Sequence, residues 1–183
     1  MSATVSDANQ TLVVAEVREL KAFVSPAEGK YTVIYPELMQ FASPSLQDIW
    51  ARVSKKLKVA IIVTSVYDDD TLQYELWKNG ELVDHYESDP SAMGDESKPD
   101  TPQGGNPNLL CATYHCTDES KIKTILYLSH IDKKYVFETD RHKDLAASLG
   151  LPGISVGYGY EYINQGEIPP GLTKSQLVKL PSK

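Results

Sequence analysis

KVAIIVTSVYDDDTLQYELWKNGELVDHYE, residues 58–87, is the stretch whose reading decides the fold. Read as strands it is a three-stranded antiparallel meander: an apolar run from Lys58 to Tyr67, a turn at Asp68-Asp69-Asp70, an alternating run, Asn79-Gly80, and a second alternating run to Glu87. The first run is β-branched almost throughout and has no polar face. That pattern suits a strand covered on both sides, at the middle of a sheet. Asn79-Gly80 supplies the two positive-φ residues of a type I′ hairpin turn.

A two-residue turn sets the register. With Lys78 and Glu81 flanking it, Trp77 lies opposite Leu82, Glu75 opposite Asp84 and Gln73 opposite Tyr86. The other face carries Leu72, Tyr74, Leu76, Val83 and His85 and is the more apolar, so it is assigned to the core. Trp77 and Tyr86 then point outward or lie under a partial cover. Glu75 facing Asp84 places like charges across a ladder, which destabilises it. Such a pair can share a proton as an acid/base dyad, hold a divalent cation, or splay apart in water.

At 183 residues the chain is long enough for one well-buried core, and a single domain over residues 11–163 is expected. A hydrophobic fraction of 41% and a charged fraction of 23% are ordinary for a globular protein. The net charge of −7 repels phosphate backbones and anionic membrane surfaces, so neither nucleic acid nor membrane is expected as a partner. Lys55, Lys56, Lys58, Lys133 and Lys134 form no stripe interleaved with aromatics. No segment approaches the roughly 20 apolar residues of a membrane span, and the polar start does not resemble a signal peptide. Two cysteines do not make a disulfide scaffold, so a reducing cytoplasm is the expected compartment.

Outward from the meander, residues 1–10 read as a disordered tail. Leu12 to Leu20 suits strand or helix, with strand preferred. Ser25 to Gly29 reads as a turn, and Tyr31 to Tyr35 as a short strand pairing back on the first. Ser43-Pro44-Ser45 opens an amphipathic helix over residues 44–57, with Ser45 and Asp48 as a capping box. Leu46, Ile49, Trp50, Val53 and Leu57 form its single apolar stripe, and Trp50 belongs to the core. Residues 88–107 are rich in proline, glycine and acid and read as a flexible loop. Residues 108–114 and 135–137 read as short strands. Two shorter C-terminal helices follow Thr117-Asp118-Glu119 and Thr139-Asp140, the second stopping at Gly150. Ser155 to Ile163 alternates strictly and reads as a strand, and residues 164–183 as a C-terminal tail.

Several constellations could carry chemistry. Cys111, His115 and Cys116 come closest to a thiol or metal site. On a strand, however, the two cysteines point to opposite faces, which suits neither a disulfide nor a zinc knuckle. A Cys111–His115 nucleophilic pair stays open, beside the simpler reading of a buried cysteine. Of the other histidines, His85, His130 and His142, His85 falls on the core face and His142 reads as a surface residue. Asp68-Asp69-Asp70 lacks the spacing of a calcium loop and reads as a turn. The glycines from Gly150 to Gly159 do not spell a phosphate-binding loop.

In Gly157-Tyr158-Gly159-Tyr160-Glu161-Tyr162, alternation places Tyr158, Tyr160 and Tyr162 on one face. Tyrosine combines a large apolar body with a hydroxyl and is enriched at interfaces, although the three could also cover the core at the sheet's rim. The expectation is an α+β domain with a mainly antiparallel sheet. It would serve as a non-catalytic module that binds a protein partner, or a second copy of itself, through Tyr158, Tyr160, Tyr162, Trp77, Tyr86 and the acidic loop. No catalytic residue, cofactor or metal is assigned. The rival reading is a small enzyme or small-molecule or metal binder with a pocket around His85, Glu75/Asp84 or Cys111/His115. A third, an acidic mimic of nucleic acid, would need its charges on one face, and the sequence spreads them.

Overall fold

In the computed structural model, residues 1–37, 43–93, 97–128 and 134–181 are described. His130, Lys133, Asp95 and Glu96 lie outside them. Strands β1 (Ser2–Ser6), β2 (Ala22–Val24), β3 (Tyr31–Pro36), β4 (Ala60–Tyr67), β5 (Thr71–Lys78), β6 (Glu81–Glu87), β7 (Gln103–Gly104) and β8 (Val178–Leu180) form one sheet. Its order is β7-β6-β5-β4-β1-β3-β2-β8, with every pairing antiparallel. Helices α1 (Gln10–Glu16) and α2 (Pro44–Leu57) accompany the first half of the chain, and α3 (Pro107–Tyr114), α4 (Glu119–Tyr127), α5 (Glu138–Leu149) and α6 (Tyr160–Gln165) the second. The α+β class and the β4–β5–β6 meander expected from the sequence are both present.

β4 sits centrally because it has two apolar faces. Ile61 and Val63 pack with Leu46, Ile49, Trp50 and Val53 of α2, whereas Ile62 joins Leu72, Leu76 and the helices of the opposite side. The hairpin turn has φ of 53° at Asn79 and 91° at Gly80, as a type I′ turn demands. Gly80 N–H donates to Ser54 Oγ at 3.0 Å, which ties the turn to α2. Ser43 is the N-cap of α2 and Pro44 opens it, so the capping box expected from Ser45 and Asp48 is not used.

The register departs from expectation two residues beyond the turn. Trp77 opposes Leu82 as expected, but Leu76 opposes Asp84, so Val83 is an extra residue and the strand bulges. Beyond the bulge every β6 side chain changes face: Glu75 meets His85, and Tyr74 meets Tyr86. His85 is therefore exposed and Tyr86 buried, the reverse of the bulge-free reading. Tyr86 stacks on Tyr74 with ring centroids 5.4 Å apart and donates to the Leu126 carbonyl at 2.7 Å. Trp77 is also buried, because α2 covers its face.

Residues 2–6, expected in a tail, form β1, paired with both β3 and β4. Its Ser side chains are buried yet satisfied: Ser2 Oγ donates to Ser155 O at 2.8 Å and Ser6 Oγ to Ala60 O at 3.0 Å. Leu12 to Glu16 is helical, with Asn9 Oδ1 accepting from Leu12 N–H. The 108–114 segment is helix α3 rather than a strand, started by Asn106 as cap and Pro107. Tyr135, Val136 and Phe137 are not a strand either; they lead directly into α5. In the acidic loop, Gln103–Gly104 pairs with β6, and Gly104 (φ 70°) passes so close that an added Cβ would lie 2.3 Å from His85 O. The supposed C-terminal tail closes the far edge as β8, where Leu180 and Val178 face Ala22 and Val24.

Candidate functional site

A cleft of about 450 Å³ opens where β1 begins and β4 ends. One wall is the β4–β5 turn, with Tyr67, Asp68 and Asp69, and the floor holds Ser2, Thr64 and His142. The other wall is the Ser155–Tyr162 segment, with Gly157, Tyr158 and Gly159. A smaller hollow of about 170 Å³ adjoins it and shares Val66, Tyr67, Gly159 and Tyr162, adding Glu37 and Glu161. The two form one groove.

The turn is built for this position. Asp68 and Asp69 both adopt the left-handed conformation, with φ of 47° and 64°, which aspartate tolerates through its short polar side chain. Asp69 then caps α5: Thr139 N–H donates to its Oδ1 at 2.7 Å, and Glu138 N–H to its carbonyl at 3.0 Å. Asp68 is exposed and makes no hydrogen bond among the described residues. α5 is anchored from below by Arg141, 1% exposed, whose Nε reaches Glu138 Oε2 at 2.8 Å and whose Nη1 donates to Ile125 O at 2.6 Å. Burial raises the Glu138 carboxyl above its ordinary range, with Arg141 opposing.

His142 follows on the same helix and was expected at the surface. It is 4% exposed, and its Nε2 has no hydrogen-bond partner. Burial first, and then the positive amino group of Met1, bring its pKa down to about 4, so the imidazole is neutral at pH 7.

The Ser155–Ile163 segment is not a strand. Gly157, at φ 76°, breaks the extension, and Gly159 caps the short helix α6. Helical geometry then separates tyrosines that alternation would have aligned. Tyr160 turns inward with Ile163 and packs on Phe23, ring centroids 5.1 Å apart. Tyr162 is 53% exposed on the groove, Tyr158 is half-buried on its wall, and Tyr67 joins them, 51% exposed. Of the five tyrosine and tryptophan positions expected to bind, Tyr158 and Tyr162 therefore meet at one cleft. Tyr160, Trp77 and Tyr86 are core.

The rival constellations do not assemble as expected. Glu75 and Asp84 lie on opposite faces of the sheet, since the bulge intervenes. Glu75 accepts from Gln47 Nε2 at 2.7 Å and Trp77 Nε1 at 3.0 Å, and Asp84 from Tyr74 OH at 2.7 Å and Asn106 N–H at 2.9 Å. Glu75 does meet His85 across the ladder, in a shallow hollow of about 310 Å³ on the outer strands. Cys111 and Cys116 form a disulfide, against expectation. α3 ends at Tyr114, and His115 at φ 58° reverses the chain, which brings the two Cα atoms within 4.5 Å. His115 is exposed. Among the described residues no group of three or more His, Cys, Asp or Glu side chains could hold a metal ion, and no helix is long and apolar enough to cross a membrane.

His142, Tyr67, Asp68 and Asp69 were not assigned to a site by sequence reasoning. The aspartate run was visible, but its partner, the start of α5, lies 70 positions away. No family model matches the chain, and no curated protein and no solved structure matches it.

Proposed function

We propose that the chain is a non-catalytic interaction module that engages a protein partner through the groove at the β4–β5 turn. The observation that carries this reading is the meeting of Tyr67, Tyr158 and Tyr162 on one cleft, two of them about half exposed. Tyrosine supplies contact area at low conformational cost and a hydroxyl for orientation, which favours protein recognition. Val136 and Phe137, also exposed, immediately precede Glu138, whose N–H is held by Asp69, and so extend the apolar surface beside the groove.

A displayed random-peptide library selected against the whole protein tests the reading. Clones that bind the wild type and lose at least tenfold in affinity for Tyr158→Ala and Tyr162→Ala support it. Selected clones indifferent to both substitutions would move the interface elsewhere. Stabilisation by nucleotides or metabolites in a thermal-shift panel, lost on His142→Gln, would favour a small-molecule pocket instead.

A further inference from the structure

Resting on that reading, we infer that the groove recognises a basic side chain, lysine or arginine, presented by the protein partner. Asp68 and Asp69 stand on the larger compartment, and Glu37 and Glu161 on the adjoining one. Neither lining includes a Lys or Arg among the described residues. Glu37 is paired with Lys21 from outside the groove, so the uncompensated charge concentrates at the β4–β5 turn. Among the described lining residues the positive group is the Met1 amino group, whose pKa burial lowers, and Lys21 beyond the lining also attracts Glu161. A net charge of −7 adds a long-range pull on cations.

Acidic residues alone would not make a site, but two further features point to a ligand. The rings of Tyr67, Tyr158 and Tyr162 line the same cleft, and aromatic rings attract ammonium and guanidinium groups that approach their faces. His142 Nε2, buried in the floor, has no partner within the protein. A neutral imidazole with its proton on Nδ1 offers Nε2 as an acceptor, the complement of an N–H donor. A buried polar atom left unpaired destabilises the fold, and a ligand donor would relieve it. A side chain on a polypeptide suits the shape better than a free cation does. The two compartments are continuous, and exposed Tyr67 and Tyr162 stand where flanking peptide would lie.

The test is an amide-resolved NMR titration of the full chain with four capped pentapeptides, Gly-Ala-X-Ala-Gly, where X is lysine, arginine, norleucine or glutamate. The expected result is that the lysine or arginine peptide shifts the amides of Asp68, Asp69, Gly157 and Gly159. Its affinity should exceed that of the norleucine and glutamate peptides at least tenfold. Asp68→Asn should lower it several-fold without moving the melting temperature, since Asp68 makes no hydrogen bond or ion pair among the described residues. Equal binding by norleucine overturns the charge inference and leaves the interaction module standing. If no peptide perturbs the cleft, both readings fall.

Discussion

Asp69 Oδ1 accepts the backbone N–H of Thr139 at 2.7 Å, so a turn between two strands caps a helix that begins about 70 positions later. The contact fixes α5, and with it His142, against the end of the sheet. Asp69→Ala should cost about 1 kcal/mol, the usual value of a lost cap, measured by urea unfolding. Asp68→Asn, on the wall of the same cleft and able to keep the left-handed backbone, should stay within about 0.5 kcal/mol.

Arg141 and Glu138 form a buried ion pair beneath that cap. Arg141→Met leaves Glu138 and the Ile125 carbonyl without their donor. A loss of about 3–5 kcal/mol is expected, as for other broken buried pairs. The double variant Arg141→Met with Glu138→Leu should recover much of it, because the stranded carboxyl is gone. Equilibrium unfolding of the three variants decides this.

The folded-state pKa of His142, about 4, lies below its ordinary 6.5. Between those values the unfolded chain binds the proton and the folded chain does not, so stability rises with pH there. The contribution is complete above about pH 6.5 and fades as the pH falls towards 4, with a span on the order of 3 kcal/mol. Glu138, its carboxyl raised, has the opposite slope in weak acid. The difference between wild type and His142→Gln isolates the histidine: its stability advantage should shrink on acidification across that window.

Tyr160 and Tyr162 sit two positions apart with opposite fates. Tyr160→Ala empties a place among Phe23, Val33 and Tyr35 and should cost about 3–5 kcal/mol. Tyr162→Ala should stay within about 0.5 kcal/mol while weakening the proposed binding. Tyr160→Phe should be nearly neutral, because the Tyr160 hydroxyl is buried without a partner. Thermal unfolding separates the three.

The Cys111–Cys116 disulfide closes a loop spanning five positions at the end of α3. So short a loop contributes about 2 kcal/mol in the chain-entropy account. Reductant should therefore lower the melting temperature by roughly 4–8 °C. The Cys111→Ser/Cys116→Ser variant should melt at the lower temperature with or without reductant.

Local pattern carried the parts of the fold that are local. The two-faced apolar run of β4, the Asn79-Gly80 turn, the α2 stripe, the Asp118 cap of α4 and the Gly150 stop of α5 each declare themselves within one or two turns of chain. These follow from steric and hydrophobic periodicity, which act between near neighbours. Tyr158, Tyr160 and Tyr162 were grouped by an alternation that the chain does not adopt, and helical geometry sends Tyr160 to the core while Tyr162 stays exposed.

What tertiary structure alone decided depends on partners distant in sequence. Ser2 to Ser6 is too polar to declare a strand, and becomes one because β3 and β4 flank it and its serine hydroxyls find acceptors. The Val83 bulge shifts the register by one residue, exchanging the fates of His85 and Tyr86, and nothing in the strand's alternation announces it. Gly-Tyr-Gly-Tyr alternates like a strand, yet the chain breaks at Gly157, with φ of 76°, and folds at Gly159 into α6. The groove itself gathers its walls and floor from β1, the β4–β5 turn, α5 and the Ser155–Tyr162 segment. Sequence by itself determined which residues could serve there, through their charge, ring and hydroxyl chemistry. Only the packing of those elements determined which of them meet, because burial and proximity are properties of the assembled chain.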